Sequence, residues 1–167
     1  MSLAAALHAT APSYSELETF GRFIGSWELE WSRPGDPRAP LDVRGELHFG
    51  WVLGGRAVQD VWVVPSVGSP GAGEPGYAFH GSTIRFFDER IGAWRSTWIE
   101  PINARVRKFI GREVEGEIHL VSLDEEPLLR WRFTEISRDR FVWLGEWSDD
   151  EARTWQLEER MVARRTQ

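Results

Sequence analysis

From Trp27 onward, apolar and polar residues alternate with a period of two, in "WELEW" at 27–31, "LDVRGELHF" at 41–49, "WRSTW" at 94–98, "LRWRF" at 129–133 and "WQLEERM" at 155–161. Alternation of this kind puts successive side chains on opposite faces of an extended chain, so each segment predicts a half-buried strand. Ahead of them, "SYSELETFGRFIG" spaces Leu17, Phe20, Phe23 and Ile24 along one face of a helix, with Ser13 or Ser15 to cap its start and Gly25 to end it. A short amphipathic helix is therefore predicted near 15–24.

Breakers recur between the strands: "RPGDPRAP" at 33–40, "LGG" at 53–55, "PSVGSPGAGEPG" at 65–76, "DERIG" at 88–92, "VEG" at 114–116, "DEEP" at 124–127, "SRD" at 137–139 and "SDDEA" at 148–152. They divide the chain into about ten strands of ordinary length. No helix-length crossover separates them, which predicts a mostly antiparallel sheet. Closing into an up-and-down barrel removes the exposed edges; a sandwich is the alternative. The segment 65–76 reads as an exposed hairpin tip. The division expected is a flexible N-terminus at 1–14 followed by a single all-β barrel domain at 15–165, with the short helix covering one end.

Strand alternation assigns an inward face to Trp27, Leu29 and Trp31, to Trp94, Ser96 and Trp98, to Leu129, Trp131 and Phe133, to Phe141, Trp143 and Trp147, and to Trp155, Leu157 and Met161. The strand at 56–64 is apolar on both sides. Either Arg56, Val58, Asp60, Trp62 and Val64 point inward, or Ala57, Gln59, Val61 and Val63 do. With the first facing, Arg56 and Asp60 pair inside the barrel, because a lone buried charge is costly. Large inward side chains either fill a small barrel or line a pocket. Ten tryptophans against two tyrosines favour a lined pocket, since a rigid indole carrying one N–H suits ligand contact. The expected ligand-binding residues are Trp31, Arg56, Asp60, Trp62, Trp94, Ser96, Trp98, Trp131 and Trp143, and the ligand is small, flat and mostly apolar, with one polar or anionic end.

Composition narrows the chemistry. The 167 residues carry a net charge of −6, which argues against nucleic acid as a partner. There is no cysteine, which removes thiolate metal sites and cysteine nucleophiles. "MSLAAALHATA" lacks a basic leading region and has a very short apolar stretch, so a cytoplasmic location is expected and no membrane partner. His8, His48, His80 and His119 are scattered in the sequence, so neither a zinc site nor haem is expected. His48 shares its face with charged residues and reads as solvent-facing, whereas His80 reads as the histidine nearest a cavity mouth. No phosphate-binding or nucleophile-elbow motif occurs.

Two other classes stay open. A cofactor-free lyase, isomerase or cyclase would use Asp60, Glu100, Glu146 or Glu159 as acid or base, with Arg56, Arg95 or Arg105 holding a substrate anion. A filled barrel serving as a structural or interaction module is the other. Val61, Val63, Phe87, Val142 and Leu144 alternate with the inward set, and such an outward apolar stripe leads us to expect a homodimer.

The helix followed by Gly25-Ser26-Trp27 resembles the entrance to a lipocalin-type calycin barrel, where Gly-x-Trp opens the first strand. "FIGSWELEW", "GELHFGWVLGGRAV" and "GSTIRFFDERIGAWRSTWIEP" extend the likeness to the uncharacterised bacterial lipocalin-like families. A second lipocalin signature, a Thr-Asp-Tyr-like triplet, is absent. The resemblance implies a ten-stranded barrel closed by the helix, ligand binding as its use, and a C-terminal arginine, Arg160, Arg164 or Arg165, covering Trp27.

Overall fold

The computed structural model describes residues 7, 17–72 and 76–166. Its ten strands are β1 (Gly25–Ser32), β2 (Val43–Val52), β3 (Ala57–Val64), β4 (Phe79–Asp88), β5 (Ala93–Glu100), β6 (Arg105–Val114), β7 (Glu117–Ser122), β8 (Leu128–Thr134), β9 (Arg140–Ser148) and β10 (Gln156–Arg165). Each pairs antiparallel with its sequence neighbour, and β1 pairs also with β10, with Trp31 opposite Met161. The sheet is thus a closed barrel and no strand edge is left unpaired. Alternating tryptophans make this closure worthwhile, because one face of every strand finds an apolar interior.

One end is sealed from the sequence's first half. Helix α1 (Glu18–Gly21) is a single turn that carries buried Phe20 into the barrel. It is shorter than the helix predicted at 15–24, and the capping serines Ser13 and Ser15 lie outside the described residues, as does most of the expected flexible segment 1–14. Phe23 stacks against Phe49 and meets Phe141 edge-on at 4.8 Å. Trp27 donates its Nε1–H to the Phe23 carbonyl at 2.7 Å and is covered by the Arg165 guanidinium, 4.1 Å from its ring. Arg165 also donates to the carbonyls of Ile24 and Arg22. Gly25, at φ +126°, makes this possible: a Cβ there would stand 2.9 Å from the Arg165 guanidinium. The Gly-x-Trp opening therefore builds a plug.

The other end is the mouth, bounded by the connections 33–42, 101–104, 123–127 and 149–155 and by the described parts, 65–72 and 76–78, of the connection between β3 and β4. Three facings expected from the sequence change. Phe87 turns inward against Trp94, 5.9 Å between centroids, because β4 keeps parity with Thr83 and Arg85. In β10 the pairing shifts between Leu157, opposite Glu146, and Glu159, opposite Gly145. That bulge reverses the alternation, so Leu157 is exposed while Glu159 and Met161 face the interior. Trp155, expected inward, lies outside under the Arg130 guanidinium at 4.2 Å. Val61 and Leu144 do face outward; Val142 does too, buried beside its cross-strand neighbour Val162.

Candidate functional site

The first facing of β3 is the one adopted: Val58, Asp60, Trp62 and Val64 are buried and point inward. Asp60 is fully buried, and its carboxylate accepts the Thr83 backbone N–H at 2.9 Å and an Nη2–H of Arg85. Register explains the pair, since Asp60 faces Thr83 across β3 and β4 and Arg85 sits one inward position along. Burial pushes the Asp60 carboxyl above the ordinary range, opposed by Arg85 and by hydrogen bonds from Thr83 and Trp62. The same burial pushes the Arg85 guanidinium down, against the pull of Asp60.

Arg85 was not singled out from the sequence, and Arg56, the partner expected for Asp60, is exposed beyond a turn at Leu53–Gly55 outside the barrel. The signal was present. An inward Asp requires a cation from an adjacent strand, and Arg85 is the basic residue of "STIRFF" on the inward parity. Two of its nitrogens, Nε and Nη1, find no acceptor among the described residues, and neither does the hydroxyl of Ser96. Ser96 lies directly opposite Arg85 on β5, on the same inward face.

Above this polar floor stand aromatic walls. Trp62 and Trp143 lie 5.8 Å apart, Trp131 meets Trp143 edge-on at 5.5 Å and Trp98 meets Trp131 edge-on at 5.7 Å. Two glycines make room for them: a Cβ on Gly81 would stand 2.3 Å from the Trp98 ring, and one on Gly145 2.8 Å from the Trp143 ring. The walls, with Leu120, Leu129 and Phe133, enclose a cavity of about 50 Å³ that reaches Thr83 and Arg85 below and Arg105 and Arg107 above.

At the mouth, Arg33 pairs with Glu159 and lies over the rings of Trp31 and Tyr77 at 5.6 and 5.2 Å. Tyr77 donates to Asp36 at 2.9 Å, and Asn103 bridges from the Gly76 N–H to the Ala78 carbonyl. Three mouth connections are thereby tied together. Burial pushes Arg107 down, reinforced by Arg105 beside it and opposed by Glu125.

Of the nine residues expected to bind ligand, Trp62, Trp98, Trp131 and Trp143 converge on the cavity, whereas Asp60 and Ser96 are buried behind its lining, Asp60 bonded to Arg85 and Ser96 opposite it across β4 and β5. Trp94 packs instead against Phe20 at the closed end, 4.9 Å between centroids, and Trp31 belongs to the mouth. The four carboxylates considered for proton transfer are all engaged. Glu100 accepts the N–H groups of Ile102 and Asn103 and the Asn103 side chain; Glu159 holds Arg33; Glu146 points outward between Arg130 and Arg132. His80 is outward, its Nε2 buried without a partner among the described residues, while His48 is exposed and bonded to Ser26. Among the described residues no three His or carboxylate side chains cluster as a metal site, and no helix is long and apolar enough to cross a membrane.

No family model and no curated protein sequence matches this chain. Among solved structures it is similar to Rv2717c from M. tuberculosis, with 13% identity and a TM-score of 0.61 over 92% of this chain and 99% of that one. It is also similar to the S-type phycobiliprotein lyase CpeS from Guillardia theta, with 12% identity and a TM-score of 0.54 over 93% of this chain and 99% of that one. At these identities the likeness concerns the fold, and with the closed ten-stranded antiparallel barrel it supports a calycin-like architecture.

Proposed function

We propose that the protein binds a small, mostly apolar, ring-bearing molecule inside the barrel. The observation that carries this is the convergence of Trp62, Trp98, Trp131 and Trp143 on one cavity whose floor holds buried donors without protein acceptors. A buried unpaired donor costs about 1–3 kcal/mol, which a ligand acceptor placed there would recover. Size sets the class of ligand. At ~10–15 Å³ of accessible space per water, a cavity of about 50 Å³ corresponds to roughly three to five waters, about a third of the ~150 Å³ that admits benzene, so a ring enters by displacing the indole walls toward the mouth. A single ring suits it, and a second ring would extend toward the mouth.

A cofactor-free lyase, isomerase or cyclase is the second reading, favoured by Asp60, whose carboxyl burial pushes up toward a proton-carrying role. Binding is preferred because Asp60 is already committed to Arg85 and Thr83. Native mass spectrometry of protein purified from its own source tests the choice, with identification of whatever co-purifies. A small aromatic compound released unchanged, and bound more weakly by Trp98→Ala, supports binding; its consumption by wild type and not by Asp60→Asn supports the enzyme. Protein that carries no compound and shows no tryptophan quenching with any ring compound contradicts both.

A further inference from the structure

We infer that the deep end of the ligand is an uncharged hydrogen-bond acceptor, a carbonyl oxygen conjugated to the ring, received by Nε–H and Nη1–H of Arg85 and by the hydroxyl of Ser96. This rests on the reading that the cavity takes a ligand, and it goes further by fixing the polarity and charge of what enters.

Placement comes from the sheet. Arg85 and Ser96 are directly opposed across β4 and β5, and directly opposed side chains on one face have Cβ atoms about 4.5–5.5 Å apart. Arg85 is 2% exposed and Ser96 3%, so their free polar atoms cannot be satisfied from bulk solvent. The next inward row, one step toward the mouth, is Asp60, Thr83 and Trp98. Arg85 lines the cavity beside Thr83, so a ligand resting on Trp98 has the Arg85 guanidinium at its inner end, with the Phe20 ring of the plug 4.3 Å from that guanidinium.

Charge decides among polar groups. The guanidinium arrives already neutralised by Asp60, through Nη2, leaving Nε and Nη1 as donors but no uncompensated positive charge. A carboxylate seated there would lie beside the Asp60 carboxylate in a site from which water is largely excluded, and like charges so placed repel strongly. The cationic side chains at the mouth do not offset it, because Arg33 is held by Glu159, Arg107 lies 3.5 Å from Glu125, and Arg105, opposite Glu100, is exposed two inward rows above Ser96. An amine would set donors against donors and leave both unpaired. A carbonyl accepts from Arg85 and Ser96 and adds no charge. Asp60 then acts as a positioning residue, holding the guanidinium by Nη2 over the Phe20 ring and leaving Nε and Nη1 for the ligand.

The test uses the full chain and three matched compounds: acetophenone, α-methylstyrene, which replaces the oxygen by a methylene, and benzoate. Tryptophan fluorescence gives affinity, and the arginine Nε–H resonances in proton–nitrogen spectra report on the floor. Acetophenone is expected to bind with one site and at least about tenfold more tightly than α-methylstyrene, since the hydrocarbon leaves the buried donors unpaired. One arginine Nε–H signal should move with acetophenone and stay with α-methylstyrene. Ser96→Ala, which keeps the Asp60–Arg85 pair, should reduce the preference for acetophenone severalfold, by weakening acetophenone and leaving α-methylstyrene bound no more weakly than by wild type. Equal binding of acetophenone and α-methylstyrene overturns the acceptor inference and leaves the pocket standing. Tighter binding of benzoate overturns the assignment of charge. Binding of none of the three overturns this inference together with the proposed function.

Discussion

Asp60 and Arg85 form a buried ion pair held by adjacent strands, and removing one partner strands the other in a site without solvent. Asp60→Ala should cost about 3–5 kcal/mol, and Asp60→Asn less, because the amide still offers an oxygen to Arg85. Urea unfolding measures both; equal, small losses would mean that water reaches the pair. Gly81 is a second test at this scale. Its missing Cβ leaves the space taken by the Trp98 indole and lies 2.9 Å from the Ile99 carbonyl. Gly81→Ala should therefore drive the ring into the cavity, lowering stability by about 1–3 kcal/mol and abolishing binding. Retained binding with unchanged melting would show that the indole is not confined there. Individual residues were legible where alternation alone decided them, as for Trp62, Trp98, Trp131 and Trp143. Arg85 was not, because "STIRFF" is apolar on both parities and only the partner strand reveals which face is inside.

Strands were readable from period-two alternation, yet an element can change parity without changing composition. The bulge in β10 moves Leu157 out while Glu159 and Met161 keep the inward facing that alternation gives them, and nothing in "WQLEERM" marks the extra residue. Nor did the helical spacing of Leu17, Phe20, Phe23 and Ile24 foretell that regular helix would span only Glu18–Gly21, since Phe23 and Ile24 already belong to the descent into β1. On the outer face of β7, β8 and β9, Glu117 receives Thr134, His119 and Arg132. Burial pushes Glu117 up, but these hydrogen bonds outweigh it and hold the carboxyl at about 2, below its ordinary 4.5. A folded-state value below the unfolded one means that the unfolded chain binds more protons in that window. Its stabilisation is complete above about pH 5 and is lost as pH falls toward 2. Melting temperatures across that range should fall less steeply for Glu117→Gln than for wild type; parallel curves would remove Glu117 from the acid response. The connection between β3 and β4 is anchored at its ends by Ser66 to Arg44 and by Gly76 to Asn103. Shortening the intervening stretch should leave melting nearly unchanged, because halving a loop alters closure by only ~0.6 kcal/mol; a loss of several kcal/mol would show the stretch to be packed.

At the scale of the whole barrel, the aromatic content that distinguishes this sequence is divided between two tasks. Phe20, Phe23, Trp27, Trp94 and Phe141 fill the closed end, four indoles stand around a cavity nearer the mouth, and Phe133 lies between the two sets. Sequence alone could not make this division, because both sets sit on the same inward faces and only the depth along each strand separates them. Filling the cavity without touching its polar floor tests the central claim most directly. Leu120 is buried in the cavity wall, and Leu120→Phe would occupy the space. Wild type titrated with acetophenone should show saturable, one-site quenching of tryptophan fluorescence, and Leu120→Phe, with an equal or higher melting temperature, should show none. Undiminished binding by the filled variant, or no saturable binding by wild type, would contradict the account.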